Sequence, residues 1–341
     1  MKNIYYKVAH RSQKEIDTFK TRYDVFQKEL IPEIFKDTLS LTATKYEQSN
    51  SWGTSHVIYF VKIKEKQHPL VLRTNVGFGY PETVMLTEKL ITDKVLKLKV
   101  PTNKVLYVDV SREKYHFDFQ IQEKLAGEDL ENNFRGAEEE YDELSFLLGM
   151  YAAKIHSIKL SGFGLFNPEL TVKGKLEGLH TNFFDYITTC LDDDIRYLFD
   201  AKIISRMLSK KVRQLFDERK RIINTTQGVL VHHDLADHNI MFQGTHITGI
   251  FDWEAAVVGD PVLDLASCPT WRTHYPREEK LIEGYKTVTS LPDHFEEKMN
   301  IYRLRTMLWK MVFAIRMNII NEQRRLKFLE ALLPFGIKKL D

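Results

Sequence analysis

Three short segments constrain this chain more than the rest of it together: His232-His233-Asp234-Leu235-Ala236-Asp237-His238-Asn239, then Ile250-Phe251-Asp252-Trp253, then Gly259-Asp260-Pro261 followed by Asp264-Leu265-Ala266. The first reads H-x-D-x-x-x-x-N. Leu230 and Val231 are apolar and predict a buried strand that roots a loop. Asp234 sits in the loop, where a carboxylate can face an incoming hydroxyl. Asn239 returns the chain to the apolar run Ile240-Met241-Phe242, Gln243-Gly244 signals a turn, and 247–251 reads as the return strand of a hairpin. Asp252 ends that strand, so a rigid element delivers a second oxygen ligand near Asn239. Phosphoryl transfer from a nucleotide needs this set. One carboxylate orients and deprotonates a hydroxyl, while another carboxylate and a carboxamide hold Mg²⁺ against the phosphates. His232 is expected to bond backbone and hold the loop.

At 341 residues the chain is long for one core, and two lobes are expected. A net charge of +2 gives no argument for nucleic acid or a membrane surface as partner. No apolar run reaches the length of a membrane-spanning helix, and the first residues do not look like a signal peptide. Cys190 and Cys268 have no metal spacing and read as free buried thiols of a reducing compartment. The expected location is cytoplasmic.

Taken together, the three segments resemble the aminoglycoside phosphotransferases and their relatives, the kinase-fold small-molecule kinases that include choline and homoserine kinases. That family reads H-G-D-x-x-x-x-N, then I-D-W-E, then G-D-P and D-L-A. The strong match here runs over roughly 230–266, with weaker echoes across most of the chain. One departure is His233, where the family usually has Gly. The resemblance implies an α+β, bilobal, protein-kinase-like fold. A small β-sheet lobe (1–124) would bind the nucleotide, and a larger, mostly helical lobe (125–341) would hold the catalytic and acceptor sites. It implies Asp234 as base toward the acceptor, Asn239 and Asp252 as Mg²⁺ ligands, ATP or GTP as co-substrate, and a small-molecule hydroxyl as acceptor.

The same resemblance organises the amino-terminal half. Residues 1 to about 50 predict one or two helices before a sheet, with Phe26, Leu30 and Ile34 on one face. Ser51 and Gly53 lie in a turn that enters a strand at 56–64; such a turn would cover the phosphates, although a plain hairpin turn reads equally well. Residues 70–73 form a second strand. Kinase-fold enzymes place a cation here, usually Lys, and this chain offers Arg73, which can grip phosphate bidentately. An edge strand with a surface Arg is the alternative. A helix over 81–99 carries the candidate partners Glu82 and Glu88. Glu88 lies among Val84, Met85, Ile91 and Val95 at helical spacing, so it faces inward, where a carboxylate needs a partner. A strand over 117–123 leads to Glu123-Lys124-Leu125, which resembles the hinge whose backbone binds the purine.

Helices are predicted over 144–159, 183–198, 203–223 and 292–320. Asp260 and Asp264 are expected to cap or buttress the loop, and His156 to be structural. Between Asp252 and Asp264 there is no Ser, Thr or Tyr and no Ala-Pro-Glu-like segment follows, which disfavours a phospho-regulated protein kinase. The acidic runs Asp192-Asp193-Asp194 and Glu138-Glu139-Glu140 could serve a polycationic acceptor but read first as solvated faces. The function expected is a small-molecule kinase, acting on an aminoglycoside-like antibiotic or an amino-alcohol or sugar metabolite. The alternative is a nucleotide-binding pseudokinase module without catalysis.

Overall fold

A computed structural model describes residues 21–49, 56–76, 83–267 and 277–340. Its amino-terminal sheet joins β1 (Ala43–Gln48), β2 (Val57–Ile63), β3 (Leu70–Asn75), β4 (Val105–Asp109) and β5 (Asp118–Glu123) in the order β1-β2-β3-β5-β4, every pair antiparallel. In β2, Val57, Tyr59, Val61 and Ile63 are buried at a spacing of two, as a half-covered strand requires. Helix α1 (Ile31–Leu39) turns Ile31, Ile34 and Phe35 into the same core. β3 lies between β2 and β5, and all six of its residues are buried.

Helix α2 (Val84–Lys97) packs on β4 and β5 of this sheet and also on the turn Trp253–Ala255 of the larger half. Ile91 and Val95, with Val100 just beyond, belong to the core of the larger half, and no residue of α2 belongs to the core under the sheet. Thr102 continues the attachment. Its hydroxyl donates to the Ile250 carbonyl at 2.6 Å and accepts from the Trp253 indole at 3.0 Å.

The second half holds a two-residue strand β6 (Glu128–Asp129), a short helix α3 (Leu130–Asn133) and a long helix α4 (Glu138–Ile155). Strands β7 (Lys159–Leu160), β8 (Phe163–Phe166) and β9 (Gly178–His180) precede α5 (Phe183–Ile187), α6 (Leu191–Asp200) and α7 (Arg206–Glu218). Then come β10 (Gly228–Val231), β11 (Ile240–Gln243), β12 (His246–Ile250), β13 (Val257–Gly259), α8 (Val262–Ser267), α9 (Glu278–Lys286), α10 (Phe295–Arg316) and α11 (Glu322–Leu332). Two small sheets run in the orders β7-β10-β13-β8-β9 and β12-β11-β6. Helices α4 and α9 cross very closely. A Cβ on Gly149 would lie 1.9 Å from the Leu281 carbonyl oxygen, and one on Gly284 1.9 Å from that of Phe146. Only hydrogen fits at either position. α10 runs through the core with most of its residues buried. No helix among the described residues is long and apolar enough to cross a membrane.

The bilobal α+β architecture is therefore present, but several elements differ from expectation. β1 and β4 were not foreseen; β1 shows no clean alternation, and its buried and exposed positions do not follow a period of two. The helix expected over 144–159 begins at Glu138 and ends at Ile155, with Lys159 already in β7. Glu138, Glu139 and Glu140 occupy its first turn, where carboxylates favour the helix dipole, and Glu140 accepts from the Ala137 amide at 2.7 Å. The 183–198 helix is broken at Cys190, whose left-handed φ of 59° separates α5 from α6. The 203–223 segment splits into α7 and a single turn, Lys220–Ile223, while the 292–320 segment shortens to α10. Arg73 is no surface residue of an edge strand. Its strand is central and the residue is buried. Cys190 is half-buried rather than buried, and Cys268 lies outside the described residues.

Candidate active site

The loop after β10 is built by backbone contacts before any chemistry begins. Asp264, on α8, accepts from the amides of His232 at 2.8 Å and His233 at 2.6 Å. The His156 Nε2 meets Asp264 Oδ2, the oxygen that also takes the His232 amide, at 3.0 Å, and its Nδ1 reaches the Tyr285 hydroxyl at 3.1 Å. Burial pushes the Asp264 carboxyl up, but the His156 hydrogen bond and the neighbouring imidazoles outweigh it, so it is held below its ordinary value. His232 holds the next turn: its Nε2 meets the Phe251 carbonyl at 3.1 Å, and its Nδ1 accepts from the Asp234 amide at 3.3 Å. That pattern assigns the proton to Nε2 and a neutral ring, in keeping with the downward push of burial. His232 and His156 thus do the structural work expected of them, and Asp264 buttresses the loop. Asp260 instead caps α8 through the Val262 amide at 2.9 Å and takes Lys298 of α10 at 2.7 Å.

His233 stands in the left-handed region at φ 66°. This is where the related motif usually has Gly, and the reason is now physical: the turn needs positive φ, which costs most side chains about 1–2 kcal/mol. The loop geometry survives the departure. Burial pushes the His233 imidazole down to about 4, against the charges of Asp264 and Asp234.

Asp234 follows, with 45% of its side chain exposed. Its Oδ2 accepts from Asn239 Nδ2 at 2.9 Å and from His238 Nε2 at 3.1 Å. Burial pushes this carboxyl up. The His238 hydrogen bond, then the charges of His238, His232 and Lys310, more than reverse that and hold it well below the usual carboxylate range. Asn239 also donates to the Asp234 carbonyl at 2.9 Å, so its amide nitrogen is committed and its oxygen is the ligand it can offer.

Asp252 stands two residues beyond β12 in a left-handed turn, φ 65°, beside the hairpin partner of Asn239: the Phe251 amide donates to the Asn239 carbonyl at 3.0 Å. Across the cleft, Arg73 Nη2 reaches Asp252 Oδ1 at 3.3 Å. Arg73 Nη1 donates to both oxygens of Glu88, at 3.0 and 2.8 Å, and Gln120 of β5 adds a bond to Glu88 Oε2 at 3.1 Å. The inward face of α2 thus delivers the partner that the spacing of Glu88 predicted, while Glu82 lies outside the described residues. Burial raises the Asp252 carboxyl, and Glu254, Glu88 and Asp234 push the same way against Arg73. A cleft in which carboxylates outnumber the guanidinium beside them, with an amide oxygen at its edge, suits a divalent cation with oxygen ligands.

Among the other candidates, Glu123 ends β5, where its amide bonds the Lys104 carbonyl at 2.9 Å. Leu125 packs on Gly249 of β12, where a Cβ would come within 2.4 Å of it. Ser51 and Gly53 lie outside the described residues. The acidic runs are engaged elsewhere. Asp194 is fully buried against Arg305 at 2.8 Å, Asp192 meets Arg213 at 2.9 Å, and Glu138 meets Arg277 at 3.3 Å. Sequence reasoning missed Gln120, His238 and the pair His56–Glu254, which spans the cleft at 2.9 Å. Gln120 carried a usable signal, a polar residue among buried ones in a strand. His238 carried none, since the motif leaves its position open.

Residues 48–296 match the phosphotransferase enzyme family. Hygromycin-B 4-O-kinase of Escherichia coli is 28% identical over 114 residues, 33% of this chain and 31% of that enzyme, so the match spans about a third of the curated relative's length. In fold, the chain resembles aminoglycoside phosphotransferase APH(4)-Ia, at 18% identity and a TM-score of 0.64, with 90% of this chain and 97% of that one covered. A thermostable mutant of the same protein, in ternary complex with AMP-PNP and hygromycin B, gives 0.64 with 90% and 99% covered. Macrolide 2'-phosphotransferase MphH of Brachybacterium faecium is 15% identical, with a TM-score of 0.60 and 90% and 98% covered. With its family pattern spread over more than half its length, the chain belongs to the phosphotransferase enzyme family.

Proposed function

We propose that this protein is a small-molecule kinase. It moves the γ-phosphoryl group of ATP or GTP to a hydroxyl of a small soluble acceptor, and an amine-bearing sugar of the hygromycin kind is the first candidate. The observation that carries the reading is the continuous chain of contacts Glu88–Arg73–Asp252 facing the loop that presents Asp234. Asn239 and Asp252 would hold Mg²⁺, which supplies charge neutralisation at the phosphates. Arg73, fixed by Glu88, steadies the α- and β-phosphates. The backbone of Glu123 and Leu125 serves the purine, with Ser51 and Gly53 in the turn over the phosphates. The lobes divide near 124/125. Asp234 orients the acceptor hydroxyl and takes its proton as the oxygen bonds to phosphorus and the bond to the diphosphate breaks. With its carboxyl held low, Asp234 acts chiefly by orientation until the transition state makes the hydroxyl acidic.

Several features support the small acceptor. The stretch from Asp252 to Asp264 is short and carries no phospho-acceptor residue. Relatives in fold are complexed with hygromycin B or named for macrolides. The test incubates the full chain with Mg²⁺ and labelled ATP or GTP against hygromycin B, other aminoglycosides, a macrolide, choline-like amines and generic proteins. Transfer to a small alcohol is expected, and Asp234→Ala should lower it by roughly 10²–10⁴ while nucleotide binding persists. Phosphate on protein alone overturns the reading. Nucleotide binding without transfer to any acceptor favours the pseudokinase module.

A further inference from the structure

We propose that His238 is a positioning residue that fixes which oxygen of Asp234 meets the acceptor; the proposal rests on the kinase reading above. A carboxylate oxygen has two lone-pair positions. Both on Asp234 Oδ2 are filled by side-chain donors, Asn239 Nδ2 at 2.9 Å and His238 Nε2 at 3.1 Å. Oδ1 accepts no hydrogen bond from the described residues. Two donors on one oxygen lock the rotation of the carboxyl group, and the incoming hydroxyl is left with Oδ1. Asn239 alone leaves the carboxyl a single side-chain bond to pivot about, and His238 supplies the second.

The ring of His238 is itself held for the task. It sits in the single helical turn Asp237–Asn239, its backbone amide bonds Asp237 Oδ1 at 3.1 Å, and its Nδ1 lies 4.0 Å from the same oxygen. A carboxylate thus faces each ring nitrogen, and Asp234 can only accept, so Nε2 carries a hydrogen. The neutral Nε2–H ring and the imidazolium both satisfy that requirement. The role is therefore one of direction and does not depend on the charge of the ring. Asp237 is nearly buried and gives the histidine a firm base, while the ring stands at the edge of the cleft.

The consequence is a specific pattern in kinetics. Loss of the Nε2 donor frees the carboxyl to rotate, so the hydroxyl meets a misdirected oxygen in most encounters. Nucleotide contacts lie with Arg73 and the hinge and are left alone. His238→Ala should therefore lower kcat about tenfold or more, with the nucleotide KM unchanged within twofold. His238→Gln carries an N–H donor at a similar reach and should recover most of the loss. A side chain with a merely structural role would not be rescued by Gln, and its loss would show in melting temperature.

Both variants and the native full chain are to be assayed with the acceptor that gives the fastest transfer, alongside thermal melts and crystal structures of all three. The expected outcome is a kcat deficit in His238→Ala, recovery in His238→Gln, and an Asp234 carboxyl turned or split between orientations only in His238→Ala. Native-like kcat in His238→Ala, or equal deficits in both variants, overturns the proposal. If the native chain transfers phosphate to nothing, the kinase reading falls. The crystal structures still decide here: an Asp234 carboxyl unmoved in His238→Ala overturns the positioning role.

Discussion

At the scale of single residues, the loop shows how chemistry and backbone can pull apart. His233 adopts a conformation that suits glycine, and its imidazole is kept neutral by burial. The unfolded chain carries this imidazole near 6.5, the folded chain near 4. Below about pH 6.5 the unfolded state therefore gains a proton that the folded state refuses, and stability falls as the pH drops through that window, by roughly 3 kcal/mol at most. His233→Gly should leave stability near the native value at pH 8, where relief of the left-handed strain offsets the looser unfolded chain and the lost packing. Between pH 6.5 and 4 the variant should lose less stability than the native protein, as urea titrations across that range would show; parallel pH profiles would contradict this account. That Asp234, Asn239 and Asp252 come together was legible in the sequence, because a loop and a short hairpin of that spacing bring their three positions to one end. The φ of His233 was not legible, although its departure from the family pattern marked the position. His238 was invisible because any residue satisfies the open positions of the motif.

Elements were legible in proportion to their periodicity. α2 announced Glu88 because Met85, Ile91 and Val95 lie on the same face, and its inward carboxylate met the one buried cation that the neighbouring strand offers it. β1 and β4 gave no such signal, since each owes its place to pairing with a partner strand more than to its own alternation. Helix ends were lost to capping and left-handed residues, as at Cys190, which no hydrophobic stripe records. The β3–α2 link can be measured. Arg73 and Glu88 are 8% and 2% exposed, so removing either strands a buried charge. We expect Arg73→Met and Glu88→Gln each to cost tenfold or more in catalytic efficiency, and the double variant to cost clearly less than the product of the two. A multiplicative double variant that folds normally would break the pairing as a functional unit.

Over the whole molecule, the two lobes were foreseen from length and motif order, but the place of α2 between them was not, because sequence neighbours are only a rough guide to packing neighbours. The helix is covalently part of the sheet lobe and packs on β4 and β5, while Ile91 and Val95 are buried in the larger core and Glu88 holds Arg73 of β3 and Gln120 of β5. The helix thus joins the two lobes, with the sheet on one side and the larger core on the other. Local opening follows apolar packing more closely than chain order. In deuterium exchange, the amides of α2 should therefore label no faster than those of β4 and β5, on which it packs; earlier labelling of α2 would contradict this. Any opening of one lobe on the other must therefore pull on α2, and the Arg73–Glu88 pair is where that pull reaches the cleft.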